Sequence, residues 1–422
     1  MNSNNVTDAH VSSLAQGELR KSWRTLVVAF AGMMCSAPVL ASYCVGSFVL
    51  PLEQEFGWGR SQIQAAIFFT QAGCAICGLL VGWIAARIGV RYLAISGILG
   101  VSLAFSLAAA TGGSIWYYYA AFTSLAFLGC GSIPVVWSKI ITGFFDARRG
   151  VALAIALSGT GLSGTFIPPI LSELIVSHGW RTGFLFLAIL PLVTALPLAI
   201  AWLPGKVADG DGAAVTDIGM GNQEGVALHK AMRDYRLWLL CFSVVILYLA
   251  MTGILANLIP AMTSQGMPAS SAALVQSFYA FPLIFGRVLV GMAIDRFWAP
   301  AVAVAALVPA AFGSFLLADS PDFYIAVMGA SLVGVAAGAE LDLIAFLTSR
   351  YFGVKYFTHI YGVIYVGVAA AGALGPVSFA WLQEATDSYA LCFYVSSGAL
   401  FVGAVSLLLL GPYPKQFNHL KH

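Results

Sequence analysis

The sequence predicts an all-α membrane protein of twelve transmembrane helices, arranged as two pseudo-symmetric six-helix bundles. Three observations predict it: composition, the spacing of apolar runs, and an internal repeat. Hydrophobic residues make up 60% of the 422 and charged residues 9%, with a mean hydropathy of +0.88. A soluble globular chain carries about 25% charged residues. At about 20 apolar residues per crossing, the chain has room for about a dozen helices and little else. The composition excludes a soluble enzyme, a secreted disulfide module and a disordered chain.

The apolar runs fall near 25–51, 61–86, 91–111, 115–142, 149–176 and 181–203, then 237–262, 270–295, 299–318, 322–349, 357–383 and 388–411. We number them spans 1 to 12. Span 1 follows Arg20, Lys21 and Arg24. It is too long for the apolar core of a secretory signal, so it is expected to be a retained anchor. Span 2 opens after F56-G-W-G-R-S61, and span 3 after the loop G82-W-I-A-A-R-I-G-V-R91. Span 4 carries Lys139 near its end, span 5 follows Arg148 and Arg149, and span 6 follows G179-W-R181. Residues 204–236 form the only long hydrophilic stretch, with Lys206, Asp209, Asp211, Asp217, Glu224, Lys230 and Arg233. The expected organisation is a tail over 1–24, a bundle over 25–203, a linker over 204–236, a second bundle over 237–411 and a tail over 412–422.

Of the 20 Lys and Arg residues, 16 fall in the two tails, the linker and loops 2–3, 4–5, 8–9 and 10–11. Basic residues favour the cytoplasmic side, which puts both termini and the linker there, in a multi-pass protein of an inner (plasma) membrane. The net charge of +2 comes from scattered residues, so nucleic acid is not an expected partner. The seven Cys lie mostly in apolar runs and lack a second CxxC set, which reads as small buried hydrophobes. No metal or cofactor motif is present.

A shift of about 209 residues lays one half on the other. Gly82 and Arg87 fall on Gly291 and Arg296. Gly159 precedes Pro168 by the same nine residues that separate Gly367 from Pro376. Trp180 and Phe184 have the spacing of Tyr389 and Phe393. Parallel six-span repeats are a transporter architecture, with a ligand site between the halves.

The loop containing Gly82 and Arg87, with its echo G291-M-A-I-D-R296, resembles the loop 2–3 signature of the major facilitator superfamily. The family pattern has Asp before the first-half Arg; here Ala86 stands there, while the second half keeps Asp295. The resemblance implies that Gly82, Arg87, Asp295 and Arg296 act in conformational switching. F56-G-W-G-R-S61, R148-R-G-V-A-L153, G179-W-R181 and the span 10 stretch G338-A-E-L-D-L-I-A-F-L-T-S-R-Y-F-G353 are similar to the monocarboxylate and oxalate–formate branch. The resemblance implies a secondary active transporter that takes up a small organic anion, working as a monomer in the lipid bilayer.

Charges inside a bilayer are costly, so each is a functional candidate. Lys139 lies near enough to its span's end to snorkel. Arg287, about eight residues from Asp295 and therefore roughly 12 Å deep, does not. A guanidinium grips a carboxylate with two parallel donors and keeps its charge. The organic-anion relatives also keep a substrate-binding Arg in span 8. They carry an Asp one turn earlier, where this chain has Leu283, and use lysines in span 1 or 11, where it has none. The other reading of Arg287 is a salt bridge tying spans 8 and 10.

Glu340 and Asp342 are expected near the depth of Arg287. Two residues apart on a helix they face different directions, so at most one meets it. A carboxylate that alternates between an Arg partner and water changes its proton affinity, as a proton-coupling site must. A permanent ion pair is the competing reading. Gln276, Tyr365, Tyr361, Tyr43, Gln71 and Asn257 outline the rest of a candidate binding cavity, with helix-packing roles as the alternative. Gly159, Gly161, Gly164, Gly367, Gly372 and Gly375 are expected to bring spans 5 and 11 close to neighbours in the opposite half.

The leading function is therefore proton-coupled uptake of a monocarboxylate-like anion, with an acid of aromatic catabolism among the candidates. The alternative within transport is a metabolite or drug exporter working as a proton antiporter. Span 5 has Gly164-Thr165-Phe166-Ile167-Pro168 in place of the Gly-Pro pair of drug antiporters, which speaks against it. A multispan enzyme or sensor would need a catalytic cluster or a large soluble domain, and neither is present.

Overall fold

The computed structural model describes residues 22–145, 149–203, 226–294, 296–319, 322–353 and 356–413. These residues are almost entirely helical. Among the described residues eleven helices are long and apolar enough to cross a membrane, and the bent pair Ser22–Met34 and Ala37–Phe56 counts as a twelfth when taken as one span. The remainder are Arg60–Ile88, Val90–Ala109, Ile115–Phe144, Arg149–His178, Trp180–Trp202, Tyr235–Ser264, Ala269–Ile294, Ala299–Leu316, Phe323–Phe352, Phe357–Thr386 and Tyr389–Leu408. Hydropathy placed every edge within a few residues, because in lipid an apolar run has to close its backbone hydrogen bonds within itself.

The irregularities have local causes. Span 1 bends by 40° just before Pro38, in the first turn of its second helix. Proline there removes a donor and starts a new helix with little strain. The Ala37 N–H at the break donates to Ser132 Oγ at 3.1 Å. Span 4 runs as Ile115–Leu128, a tight turn over Gly129–Ser132, and Pro134–Phe144. Trp137 Nε1 donates to the Ser132 carbonyl at 3.0 Å, so an acceptor exposed by that turn is satisfied. Asp234 caps span 7 by accepting from the Arg236 N–H, and Ser388 caps span 12 by accepting from Ala390 N–H.

Contacts group the described residues into two compact units. The first holds those within 1–41, 69–163 and 177–212. Its core is built around Trp137 with Met33, Ile98, Ile140 and Phe145. Close backbone approach holds it: a Cβ on Gly131 would stand 1.7 Å from the Leu93 carbonyl, and one on Gly159 2.3 Å from that of Phe30. The second unit holds those within 42–68, 164–176 and 213–422. It therefore contains the ends of spans 1 and 2 that flank the 1–2 loop, part of span 5, and all of spans 7 to 12.

The span 5 and span 11 glycines correct one expectation. A Cβ on Gly367, Gly372 or Gly375 would meet Val245, Tyr248 or Thr252, all in span 7, and Gly159 abuts span 1. These glycines pack within their own half of the sequence. Gly164 does reach across the repeat, with Tyr43 on one side and Ala280 on the other. Small residues serve whichever helix is adjacent, and a single sequence does not say which that is.

Candidate functional site

The second unit's centre is set by how spans 8 and 10 cross. Gly286, Gly334 and Gly338 lie along the crossing. A Cβ on any of them would stand 2.0 to 2.1 Å from a carbonyl oxygen of the facing helix. This contact fixes the position of Arg287, whose side chain is half-buried. Its Nε donates to the Gly338 carbonyl at 3.3 Å, which orients the guanidinium plane. The Tyr43 phenol of span 1 lies within electrostatic reach of that charge.

Glu340 follows Gly338 by two residues and turns away from it. Its carboxylate is 6% exposed and lines a small cavity, ≈ 20 Å³, walled by Val244, Leu247, Val290, Leu307 and Leu343. That is about the space one water occupies. Oε1 has no hydrogen-bond partner among the described residues. Asp342 belongs to the span 10 helix, but its side chain lies outside the described residues, as does Asp295.

The uncharged candidates separate into groups. Gln276 is buried, with Nε2 donating to the Tyr43 carbonyl at 2.6 Å and Oε1 without a partner. Asn257 is fully buried and bonded: Nδ2 donates to the carbonyls of Gly253 at 3.0 Å and Pro376 at 3.1 Å, and Oδ1 accepts from Gln64 Nε2 at 3.3 Å. Tyr361 stacks on Phe357 with ring centroids 5.3 Å apart, and Tyr365 on Tyr361 at 6.1 Å. Tyr365 is 49% exposed, so this ladder ends in an accessible ring. Gln71 belongs to the first unit and is half-buried. Of the switching residues, Gly82 has open space around it, Arg87 lies over the Trp83 ring at 3.8 Å, and Arg296 is exposed.

Two features escaped the sequence reading. Tyr248 and Tyr279 lie within electrostatic reach of both Glu340 and Tyr43, and Tyr361 and Tyr365 within reach of Tyr248, so five tyrosines form one linked cluster that includes Glu340. The spacing of Tyr279 eight residues before Arg287 was a signal available in the sequence. The second feature is a polar cluster at the 1–2 loop. Arg60 Nε pairs with Glu53 at 2.9 Å, and its Nη1 donates to Ser264 Oγ at 3.1 Å and Tyr389 Oη at 3.3 Å. Beside it, the Ser61 backbone N–H and Oγ donate to the two carboxylate oxygens of Glu384 at 2.8 and 2.6 Å.

Comparison with known proteins agrees with this architecture. The model of the Major Facilitator Superfamily matches twice, over residues 25–244 and 240–421. The probable sulfoacetate transporter SauU of Cupriavidus necator is 25% identical, over 86% of this chain and 87% of its own. Monocarboxylate transporter 12-B of Danio rerio is 24% identical, over 92% and 86%. Among solved structures, a D-xylose–proton symporter superposes with a TM-score of 0.69 at 14% identity, covering 93% of this chain and 98% of that one. A bacterial homologue of the human lysosomal transporter Spinster, inward-facing and unoccupied, gives 0.66 at 17%, covering 92% and 96%. With two matches to one family model over residues 25–421, this chain belongs to the Major Facilitator Superfamily and is a multi-pass membrane transporter, not an enzyme.

Proposed function

We propose that this protein takes up a small organic anion together with a proton, by alternating access of two six-span halves joined by the 204–236 linker. Arg287 carries the reading. A permanently charged guanidinium, half-buried in an apolar span and oriented by the Gly338 carbonyl, is a fixed receptor for a carboxylate or sulfonate. Tyr43, Tyr361 and Tyr365 supply phenol donors and ring surface for the rest of the ligand. Gln276 and Asn257 position the helices that hold these groups. Relatives whose names include monocarboxylate and sulfoacetate transport support the anion class.

The proton is assigned to the acidic pair of span 10, and of the two, Glu340 has the supporting geometry. Its carboxyl faces a small apolar cavity, and Oε1 has no hydrogen-bond partner among the described residues, so this oxygen is the one placed to take up a proton. The basic-residue bias supports a cytoplasmic linker and cytoplasmic termini for the protein in an inner membrane.

The test is uptake of a labelled panel (acetate, lactate, benzoate, sulfoacetate) into proteoliposomes with and without a pH gradient. Arg287→Gln should abolish saturable uptake in a folded, well-expressed protein. Arg287→Lys should lose most of it, about tenfold or more, because Lys cannot reproduce the planar fork. Normal uptake by Arg287→Gln overturns the receptor role.

A further inference from the structure

At the ends of spans 8, 10 and 12 the second unit carries a cavity apart from the candidate substrate site, with the switching candidate Arg296 in its wall. Its volume is ≈ 570 Å³, and its walls include Arg296, Phe297, Trp298, Phe346, Arg350 and Tyr413. Two guanidinium groups share this one cavity, and no described carboxylate lies within 4.0 Å of either. Two like charges on one concave surface repel, and an anion in the cavity would relieve that repulsion.

The surrounding structure is organised rather than frayed. Arg350 lies over the rings of Phe346 at 5.1 Å and Tyr413 at 5.9 Å, which fixes its direction. Tyr413 packs against Tyr351 with ring centroids 5.3 Å apart, and its hydroxyl accepts from the Ala299 N–H at 2.9 Å. Tyr351 in turn donates to the Gly411 carbonyl at 2.5 Å. The chain leaving span 12 is thereby tied to the ends of spans 9 and 10, and the cavity keeps its walls.

The rim decides the class of anion. Phe297 is 67% exposed and Trp298 36%, in the turn that follows span 8. At a helix end this is the level of the membrane–water interface, where aromatic rings settle among lipid headgroups. An inorganic anion has nothing to place on these rings, whereas a phospholipid places a phosphodiester on the guanidinium pair and glycerol and acyl carbons on the rim. Basic pockets between helix ends bind such headgroups.

We propose that the cavity bounded by Arg296, Arg350, Trp298 and Tyr413 is a binding site for the phosphate headgroup of an anionic phospholipid. The bound lipid cross-braces the 8–9 turn, the end of span 10 and the chain after span 12. The site is independent of the substrate assignment.

The experiment uses the delipidated full-length transporter in detergent. Unfolding temperature and lipid retention by native mass spectrometry are read against added phosphatidylglycerol, phosphatidylcholine and inorganic phosphate. Phosphatidylglycerol should raise the midpoint and be retained, and phosphatidylcholine should do neither. The Arg296→Gln/Arg350→Gln double variant should bind phosphatidylglycerol at least about tenfold more weakly, as loss of paired charge-assisted contacts requires. Should the double variant not fold, Arg350→Lys keeps the charge, removes the fork, and should weaken retention severalfold. Equal effects of the two lipids, or wild-type retention by the folded variants, would overturn the site. A full midpoint shift from inorganic phosphate alone would reassign it to a soluble phosphate.

Discussion

Gly338 lies directly against Arg287. The guanidinium Nε donates to the Gly338 carbonyl at 3.3 Å, and a Cβ at Gly338 would stand 3.0 Å from the Arg287 nitrogen and 2.0 Å from the Leu283 oxygen. The bareness of one residue therefore sets where the charge of another sits. The pairing also explains why Arg287 tolerates its depth: an acceptor on span 10 reaches it at the level where it leaves span 8.

Gly338→Ala is expected to push spans 8 and 10 apart. Overpacking of this kind costs about 1–3 kcal/mol, and here it also displaces the acceptor that orients Arg287. Uptake should fall severalfold and the unfolding midpoint should drop, although no charged group has been touched. Gly398→Ala, where a Cβ meets nothing within 4 Å, is the matched control and should behave as wild type. Equal behaviour of the two alanine variants would remove the Gly338 contact from the account.

Glu340→Gln separates proton coupling from structure. The amide has the size of the neutral carboxyl and lines the same ≈ 20 Å³ cavity. A coupling role predicts loss of accumulation driven by a pH gradient, with substrate exchange retained, because exchange needs no deprotonation. A purely structural carboxyl predicts that the two activities change together. Asp342→Asn run in parallel assigns the proton to whichever variant uncouples, and continued pH-driven accumulation in both variants would exclude the pair.

Some of this is legible in the sequence, and the reasons differ from residue to residue. The spans were legible because each must satisfy its backbone internally, leaving apolar length as the dominant signal. Arg287 and Glu340 were legible because a charge stands out in an apolar run. The direction Glu340 faces was not, since helical phase alone does not say which neighbour lies on that side. The glycines show the same limit: their spacing promised close approach, yet Gly159 met span 1 and Gly367, Gly372 and Gly375 met span 7, with Gly164 reaching span 8 as well. Glu384 and Ser61, 323 residues apart in sequence, each look like an ordinary helix-end polar residue until the fold joins them.

Topology has a direct check. Of 20 basic residues, 16 favour one side, which predicts that reporters fused within 206–230 read cytoplasmic and that reporters at Arg60 or Asp319 read external. A linker reporter found outside would invert the orientation of every span and of the proposed lipid site with them.

The cluster at the 1–2 loop makes the last prediction. Span 2 begins at Arg60, and the Ser61 N–H is among the donors a helix start leaves without an intrahelical partner. Glu384, carried by span 11, supplies the acceptor, and its charge suits the positive end of the helix dipole. Gly59 permits this approach, since a Cβ there would lie 2.7 Å from Glu384 Oε1. Arg60 reaches in parallel to Glu53, Ser264 and Tyr389. Five spans (1, 2, 7, 11 and 12) are thus joined by polar contacts at one end of the second unit, and an alternating-access cycle has to break those that cross the repeat. Glu384→Gln keeps shape but weakens the charge-assisted cap by about 1 kcal/mol, a typical value for a lost helix cap. The closed state at this end should then be less populated, seen as several-fold faster labelling of a cysteine placed at Gln62, with the unfolding midpoint little changed. Ser61→Ala should act in the same direction, and the double variant should be no faster than the stronger single one, because both remove the same contact. Unchanged labelling in Glu384→Gln would reduce the Ser61–Glu384 pair to a local helix cap without a part in gating.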